Sequence, residues 1–287
     1  MTTTLPILVA YDGSADAERA LHWAAAESLR THVPLRVLAV NAVLPPTWGG
    51  MTGAVGMAGL VDIPVGDSKA VLEQAGKTLS DAGVGGATLD QATGHVVDEL
   101  LRAGESASLL VTGSHGHGRT GEALIGSVSQ HLARHATCPV VVVRPARDPE
   151  ARRIVVGIDG SRASAAALEH ACRRAEDTGE TVVAIHAWKV RAPSTDVWSS
   201  DARSVDSQER ELLLSESLAG VREDHPDVRL EQEVVPVAPG QALVDASAGA
   251  SLVVVGSRGL GFFSGLLLGS VSQVVLHRAE CPVLVVR

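Results

Sequence analysis

Short apolar runs rich in β-branched residues alternate along this chain with longer stretches whose apolar residues recur at helical spacing. Runs such as Ile7 to Ala10 and Val140 to Val143 read as strands, and the stretches between them as helices. Strands are expected near 5–11, 35–41, 86–92, 107–112 and 139–144, with helices near 15–31, 66–82, 95–104 and 127–136. A second series of strands is expected near 153–158, 181–187, 228–236, 251–256 and 282–286. Continuous apolar strands suit a sheet buried on both faces. The pattern therefore predicts an α/β fold of βαβ units, with a parallel sheet and right-handed helical crossovers.

The second series repeats the first. Ile7-Leu-Val-Ala-Tyr-Asp12-Gly-Ser14 returns as Ile154-Val-Val-Gly-Ile-Asp159-Gly-Ser161, and Gly126-Ser-Val-Ser-Gln130 as Gly269-Ser-Val-Ser-Gln273. Cys138-Pro-Val-Val-Val-Val-Arg144 returns as Cys281-Pro-Val-Leu-Val-Val-Arg287. The first block repeats at an offset of 147 residues and the later blocks at 143. A four-residue shortening of the first copy near Gly94 is the expected origin, facing the Val-Pro-Val-Ala-Pro stretch that ends at Pro239. Polar, proline-broken Pro145 to Arg153 reads as a linker with its boundary near Glu150, giving domains 1–147 and 151–287.

Composition narrows the function classes. Aromatic residues make up 2% of the chain, so the cores must be built from Val, Leu, Ile and Ala. A formal net charge of −9 argues against a general nucleic-acid binder. The cysteines Cys138, Cys172 and Cys281 have neither zinc-knuckle nor redox-motif spacing and read as inert thiols in a reducing compartment. The N-terminus lacks the regions of a signal peptide, and no apolar run reaches the roughly 18 residues of a membrane span. A cytoplasmic protein is the expectation.

The strongest chemical pattern is a glycine, two residues, a second glycine, nine residues, then glycine-serine. It occurs as Gly113, Gly116, Gly126, Ser127 and again as Gly256, Gly259, Gly269, Ser270. Glycines after a strand let the backbone approach a ligand, and the helix opening at glycine-serine offers unpaired N–H groups and a dipole to an anion. Ser127, Ser129, Ser270 and Ser272 are candidate hydroxyl donors to phosphate oxygens. A single copy reads equally well as a capped turn; two copies at identical spacing favour phosphate. Asp12 and Asp159 close the first strand of each copy, and Asp-Gly-Ser is also a good turn and cap. If the strand order is 3-2-1-4-5, however, the aspartate and the glycines share the crevice where strand order reverses.

Other patterns carry less. Gly116-His-Gly-Arg-Thr-Gly121 satisfies a dinucleotide fingerprint but follows the fourth strand, lacks the downstream acidic residue, and meets Ser264 in the second copy. His115 and His117 lack a third metal ligand, and Arg258 and Leu260 replace them in the second copy. Ser114 and His115 are neighbours with no orienting third group in the sequence. Glu122 is the only acidic residue of the first loop and the second loop has none, an asymmetry that weighs against a shared hydrolytic mechanism. The segment Pro45 to Pro64, with Trp48, Met51 and Met57, and its counterpart Arg191 to Val205, with Trp198, read as insertions or lids.

On these residues the chain resembles the universal stress protein family in its tandem, ATP-binding form. The resemblance implies two doubly wound domains, each with a five-stranded parallel sheet in the order 3-2-1-4-5 flanked by helices. It also implies one ATP, alone or with Mg, per domain. The first site would comprise Ala10, Asp12, Val40, Gly113, Gly116, Gly126, Ser127, Val128 and Ser129. The second would comprise Gly157, Asp159, Ala187, Gly256, Arg258, Gly259, Gly269, Ser270, Val271 and Ser272. The last strands, left as edges, imply pairing of the two domains within one chain or a homodimer. The implied role is a cytoplasmic stress-response regulator with an adenine nucleotide and an unidentified protein as partners. A slow ATPase or phosphate-transferring enzyme on the same pocket, or a nucleotide-independent interaction module, are the alternatives. With Arg258 and the fuller third strand, the second site is expected to be the more typical.

Overall fold

A computed structural model describes residues 4–42, 68–116, 125–189, 200–260 and 267–287. The chain divides into two compact units, Met1–Val143 and Arg144–Arg287. In the first, β1 (Ile7–Ala10), α1 (Ala15–Thr31), β2 (Leu35–Ala42), α2 (Ser68–Asp81) and β3 (Thr88–Gly94) lead into the second half. That half contains α3 (Val96–Gly104), β4 (Leu109–Gly113), α4 (Ser127–His135) and β5 (Val140–Val143). The second unit repeats this as β6 (Arg153–Gly157), α5 (Arg162–Thr178), β7 (Thr181–Ala187), α6 (Ser200–Asp224) and β8 (Leu230–Val235). It closes with α7 (Pro239–Ser247), β9 (Leu252–Gly256), α8 (Ser270–Arg278) and β10 (Val283–Val286).

Strands of the first unit pair in parallel in the order β3-β2-β1-β4-β5. Those of the second pair as β8-β7-β6-β9-β10, also in parallel. Both orders are 3-2-1-4-5, counted within the unit. The chain winds outward from β1 through β2 to β3, then returns to β4 and winds the other way. With right-handed crossovers this puts α1 and α2 on one face and α3 and α4 on the other, and each pair is in mutual contact. Covering both faces buries every residue of β1, β5 and β10, which is why those runs are continuously apolar.

Alanine does much of the packing. α1 presents Ala17, Ala20, Leu21, Ala24 and Ala25 as a buried stripe at helical spacing, and small side chains bring the helix close to the sheet. The Ser14 hydroxyl accepts the Ala17 N–H at 3.2 Å to start α1, and Ser161 accepts that of Ser164 at 3.1 Å to start α5. All three cysteines are buried and free, and burial pushes the Cys172 and Cys281 thiols up to about 12. Thiols so disfavoured as thiolates are poor nucleophiles.

The two units fasten their first helix pair differently. In the first, the Glu18 carboxylate on α1 accepts from the Thr78 hydroxyl on α2 at 2.6 Å and from the Tyr11 hydroxyl. In the second, His225 at the end of α6 lies between two carboxylates of α5, its Nδ1 2.7 Å from Glu176 and its Nε2 3.0 Å from Glu169.

The length difference between the copies corrects the sequence expectation in sign and in place. An offset that falls from 147 to 143 removes residues from the second copy, not the first. Register locates the loss. Ile7 pairs with Leu35 and Ile154 with Val182, still 147 apart, whereas Val37 pairs with Leu89 and Ala184 with Gln232, by then 143 apart. The change therefore lies between β2 and β3, in a crossover whose length can vary without disturbing strand register. At Gly94 nothing is missing, since α3 and α7 begin at Val96 and Pro239, also 143 apart.

Among the described residues no helix is long and apolar enough to cross a membrane. Trp48, Met51, Met57 and Trp198 lie outside the described residues, as do His117, Gly118, Arg119, Thr120, Gly121, Glu122 and Ser264.

Candidate functional site

In an open parallel sheet the crevice opens beyond the carboxyl ends of the strands where the winding reverses, here between β1 and β4 and between β6 and β9. Ala10, Gly113, Gly157, Gly256 and Ala187 are each the last residue of their strand, and Val40 lies near the end of β2. Asp12 and Asp159 follow two residues after β1 and β6 and work in two directions. One oxygen turns back, with Asp12 Oδ1 accepting the Ser14 N–H at 2.9 Å and Asp159 Oδ1 that of Ser161 at 3.0 Å. This closes a turn through Gly13 and Gly160, whose φ of +81° and +82° favour glycine.

The other oxygen reaches across the crevice. A Cβ on Gly116 would lie 2.7 Å from Asp12 Oδ2, and one on Gly259 only 2.1 Å from Asp159 Oδ2. In the second unit the Leu260 N–H also donates to Asp159 Oδ2 at 3.1 Å. Two motifs about a hundred residues apart thus meet in each unit, and the second glycine of the motif is where they touch. Burial alone would raise the Asp159 carboxyl, but the Ser161 side chain and N–H, the Leu260 N–H and the Ser164 hydroxyl outweigh it and hold it below the usual carboxylate range.

Beyond the glycines lies the helix opening. The N-caps of α4 and α8 are Gly126 and Gly269, both extended and neither supplying a side-chain cap. Serine caps α1 and α5, whereas these two helices begin with uncapped N–H groups at the mouth of the crevice. The Gly126 N–H donates to Ser114 O and that of Gly269 to Ser257 O, each at 2.7 Å, folding the loop back onto the helix start. Buried Ser129 and Ser272 donate their hydroxyls to Gly113 O at 2.7 Å and Gly256 O at 2.6 Å. Those hydroxyl protons are already engaged, so Ser129 and Ser272 offer a ligand their N–H groups. Ser127 and Ser270 are exposed, and with Val128 and Val271 complete the first turn.

One carboxylate was not anticipated. Asp16, in the first turn of α1, reaches the loop after β4. Its Oδ2 accepts the Ser114 hydroxyl at 2.5 Å and the His115 N–H at 2.9 Å, with His115 Nδ1 3.2 Å away. Arg19 pairs with its other oxygen. Burial would raise the Asp16 carboxyl; the Ser114 hydroxyl, Arg19 and His115 outweigh it and hold it below the usual carboxylate range. Asp16 is the third group that Ser114 and His115 lacked in the sequence, yet the three do not form a nucleophilic triad. Ser114 is buried and donates directly to the carboxylate, and the same ring nitrogen of His115 faces both partners, at 3.1 Å from Ser114 Oγ. Alignment of the two copies carried the signal, because Ala163 stands where Asp16 does. In the second unit Arg258 is exposed and, among the described residues, has no ion pair. No group of three or more metal-ligating side chains occurs among the described residues.

Comparison with known proteins agrees with this architecture. The universal stress protein family matches residues 4–144 and again 150–287. A universal stress protein of Mycobacterium tuberculosis (strain ATCC 25618 / H37Rv) is 35% identical over 98% of this chain and 96% of its own length. One from Mycolicibacterium smegmatis is 35% identical over 99% of this chain and 98% of its own. The crystal structure of a universal stress protein from Archaeoglobus fulgidus DSM 4304 shares the fold, with a TM-score of 0.67 and 19% identity, covering 99% of this chain and 97% of that one. With both halves matched and relatives similar along their whole length, the chain belongs to the universal stress protein family in its tandem form.

Proposed function

We propose that each unit binds an adenine nucleotide, with ATP as the leading ligand, and that the protein is a cytoplasmic stress-response regulator acting through binding and not through turnover. The observation that carries this is the pairing, in both units, of an uncapped helix N-terminus with an aspartate across the reversal crevice, separated by a glycine whose missing side chain leaves the gap. The uncapped N–H groups of Ser127 to Ser129 and Ser270 to Ser272 suit phosphate oxygens. Asp12 and Asp159, with acceptor oxygens at the other end of the crevice, suit the ribose hydroxyls or the adenine amino group. Ala10, Val40, Gly157 and Ala187 supply the strand-end backbone on the adenine side.

Bound nucleotide stabilises the folded chain by mass action, by about 2.7 kcal/mol at a ligand concentration one hundred times Kd. It would thereby bias which surface each unit shows a partner. Heat denaturation of the purified chain should release an adenine nucleotide, and added ATP should raise the melting temperature. Neither effect should survive in the double variant Gly116→Val, Gly259→Val. A chain that releases no nucleotide and melts at the same temperature with or without ATP overturns the proposal.

A further inference from the structure

Among the described residues the two cradles differ in a carboxylate that reaches the loop from the first helix. In the first, a carboxylate with only 14% of its side chain exposed is bound to the loop between Gly113 and Gly116. It holds a backbone N–H of that loop, which is what an incoming anion would otherwise seek. The same loop carries the tether to the helix opening, through Ser114 O and the Gly126 N–H, so the charge sits one residue from the cradle. In the second unit Ala163 takes that place, Asp159 faces the crevice among the described residues, and the loop presents an exposed arginine. The tally is Asp12, Asp16 and Arg19 around the first loop against Asp159 and Arg258 around the second. Among these described groups the first loop carries one more net negative charge than the second, where Arg258 stands in place of His115, and Arg19 lies on the far oxygen of Asp16, not in the loop.

We propose that Asp16 acts as a built-in anion that makes the first site select adenine ligands of low negative charge, such as adenosine or AMP, while the second accepts the triphosphate. This rests on the nucleotide-binding function proposed above. Each added phosphate brings further negative charge toward a partly buried carboxylate, where screening by water is weak, so the penalty grows with phosphate number. The adenine and ribose contacts, made by Asp12 and the strand ends, are shared by both units. Discrimination is therefore by phosphate count and not by base.

The test uses the full chain with one site closed at a time, by Gly259→Val or Gly116→Val, titrated calorimetrically with adenosine, AMP and ATP. The ATP-to-AMP affinity ratio should be lower at the first site than at the second by about tenfold or more. Adding Asp16→Ala should raise ATP affinity at the first site by about that factor while moving adenosine little, and Ala163→Asp should lower it at the second. Asp16→Asn, which keeps the acceptor oxygen and removes the charge, should behave like Asp16→Ala. A loss of loop structure would instead shift all three ligands together. Equal ratios at the two sites, or an Asp16→Ala effect of the same size on adenosine and ATP, overturn the built-in anion and leave nucleotide binding standing. If neither site of the unsubstituted chain takes any of the three ligands, both proposals fall.

Discussion

The first and second units share strand order, helix placement and the aspartate-to-glycine meeting, yet they stiffen the same crevice with different chemistry. The first fixes its loop with a carboxylate donated from α1, by way of Asp16 to Ser114 and His115. The second fixes its loop through the strand-end aspartate itself, by way of Asp159 to Leu260. Behind the crevice the first pins α1 to α2 with hydroxyls on Glu18, and the second pins α5 to α6 with a histidine between two glutamates. A duplicated fold thus keeps its backbone solution while the side chains that tension it diverge.

The largest expected effect comes from filling the gap between aspartate and loop. Overpacking costs about 1–3 kcal/mol, and the same cost borne by the binding-competent geometry is roughly a five- to 150-fold loss of affinity at the altered site. Gly259→Val should exceed Gly116→Val, because the second unit leaves less room and ties Asp159 to a backbone N–H. Separate calorimetric titrations check this ranking, and equal losses would show that the tighter gap at Gly259 has no effect on binding.

Next come the glycines that end β4 and β9. A Cβ on Gly113 would sit 2.6 Å from the Asp16 carbonyl carbon, and one on Gly256 would sit 2.8 Å from that of Ala163, so backbone has to move in both units. Gly113→Ala and Gly256→Ala should each cost about 1–3 kcal/mol. Hydrogen exchange resolved by unit should place each loss in its own half.

The histidine clamp gives a smaller, pH-dependent effect confined to the second unit. Hydrogen bonds to Glu176 and Glu169 raise the pKa of His225 above its ordinary 6.5. A raised folded pKa means that the contribution is fully present below the unfolded value and is lost as pH rises through the folded one. Exchange protection of the second unit should therefore fall as pH climbs above about 6.5. His225→Gln should flatten that fall and leave the first unit untouched. Smallest and most symmetric, Ser14→Ala and Ser161→Ala should each remove about 1 kcal/mol by uncapping α1 and α5. Unequal losses would show that the caps, too, have diverged.

Most of the fold was legible because it is local. The span 15–31 for the first helix is met residue for residue by α1, bounded by a serine cap and by His32 in the left-handed region. The strands fall within a few residues of their apolar runs, as buried strands should. What stayed hidden depends on contacts between distant residues. Nothing in the spacing of Asp16 announces that it reaches His115, 99 residues away, or that His225 reaches Glu169, 56 residues back. Their place in the motif suggests Ser129 and Ser272 as hydroxyl donors to a ligand, whereas the loop carbonyls that engage those hydroxyls are set by the fold around them. The four-residue difference was misplaced for a related reason. Offsets say how much length changes, and strand register says where.

Titrating the intact protein with ATP in a calorimeter shows whether one chain holds two nucleotide cradles of unequal character. The expected result is two binding events per chain, with Gly259→Val weakening only the tighter and Gly116→Val only the weaker. Two identical sites, or no binding at all, would contradict it.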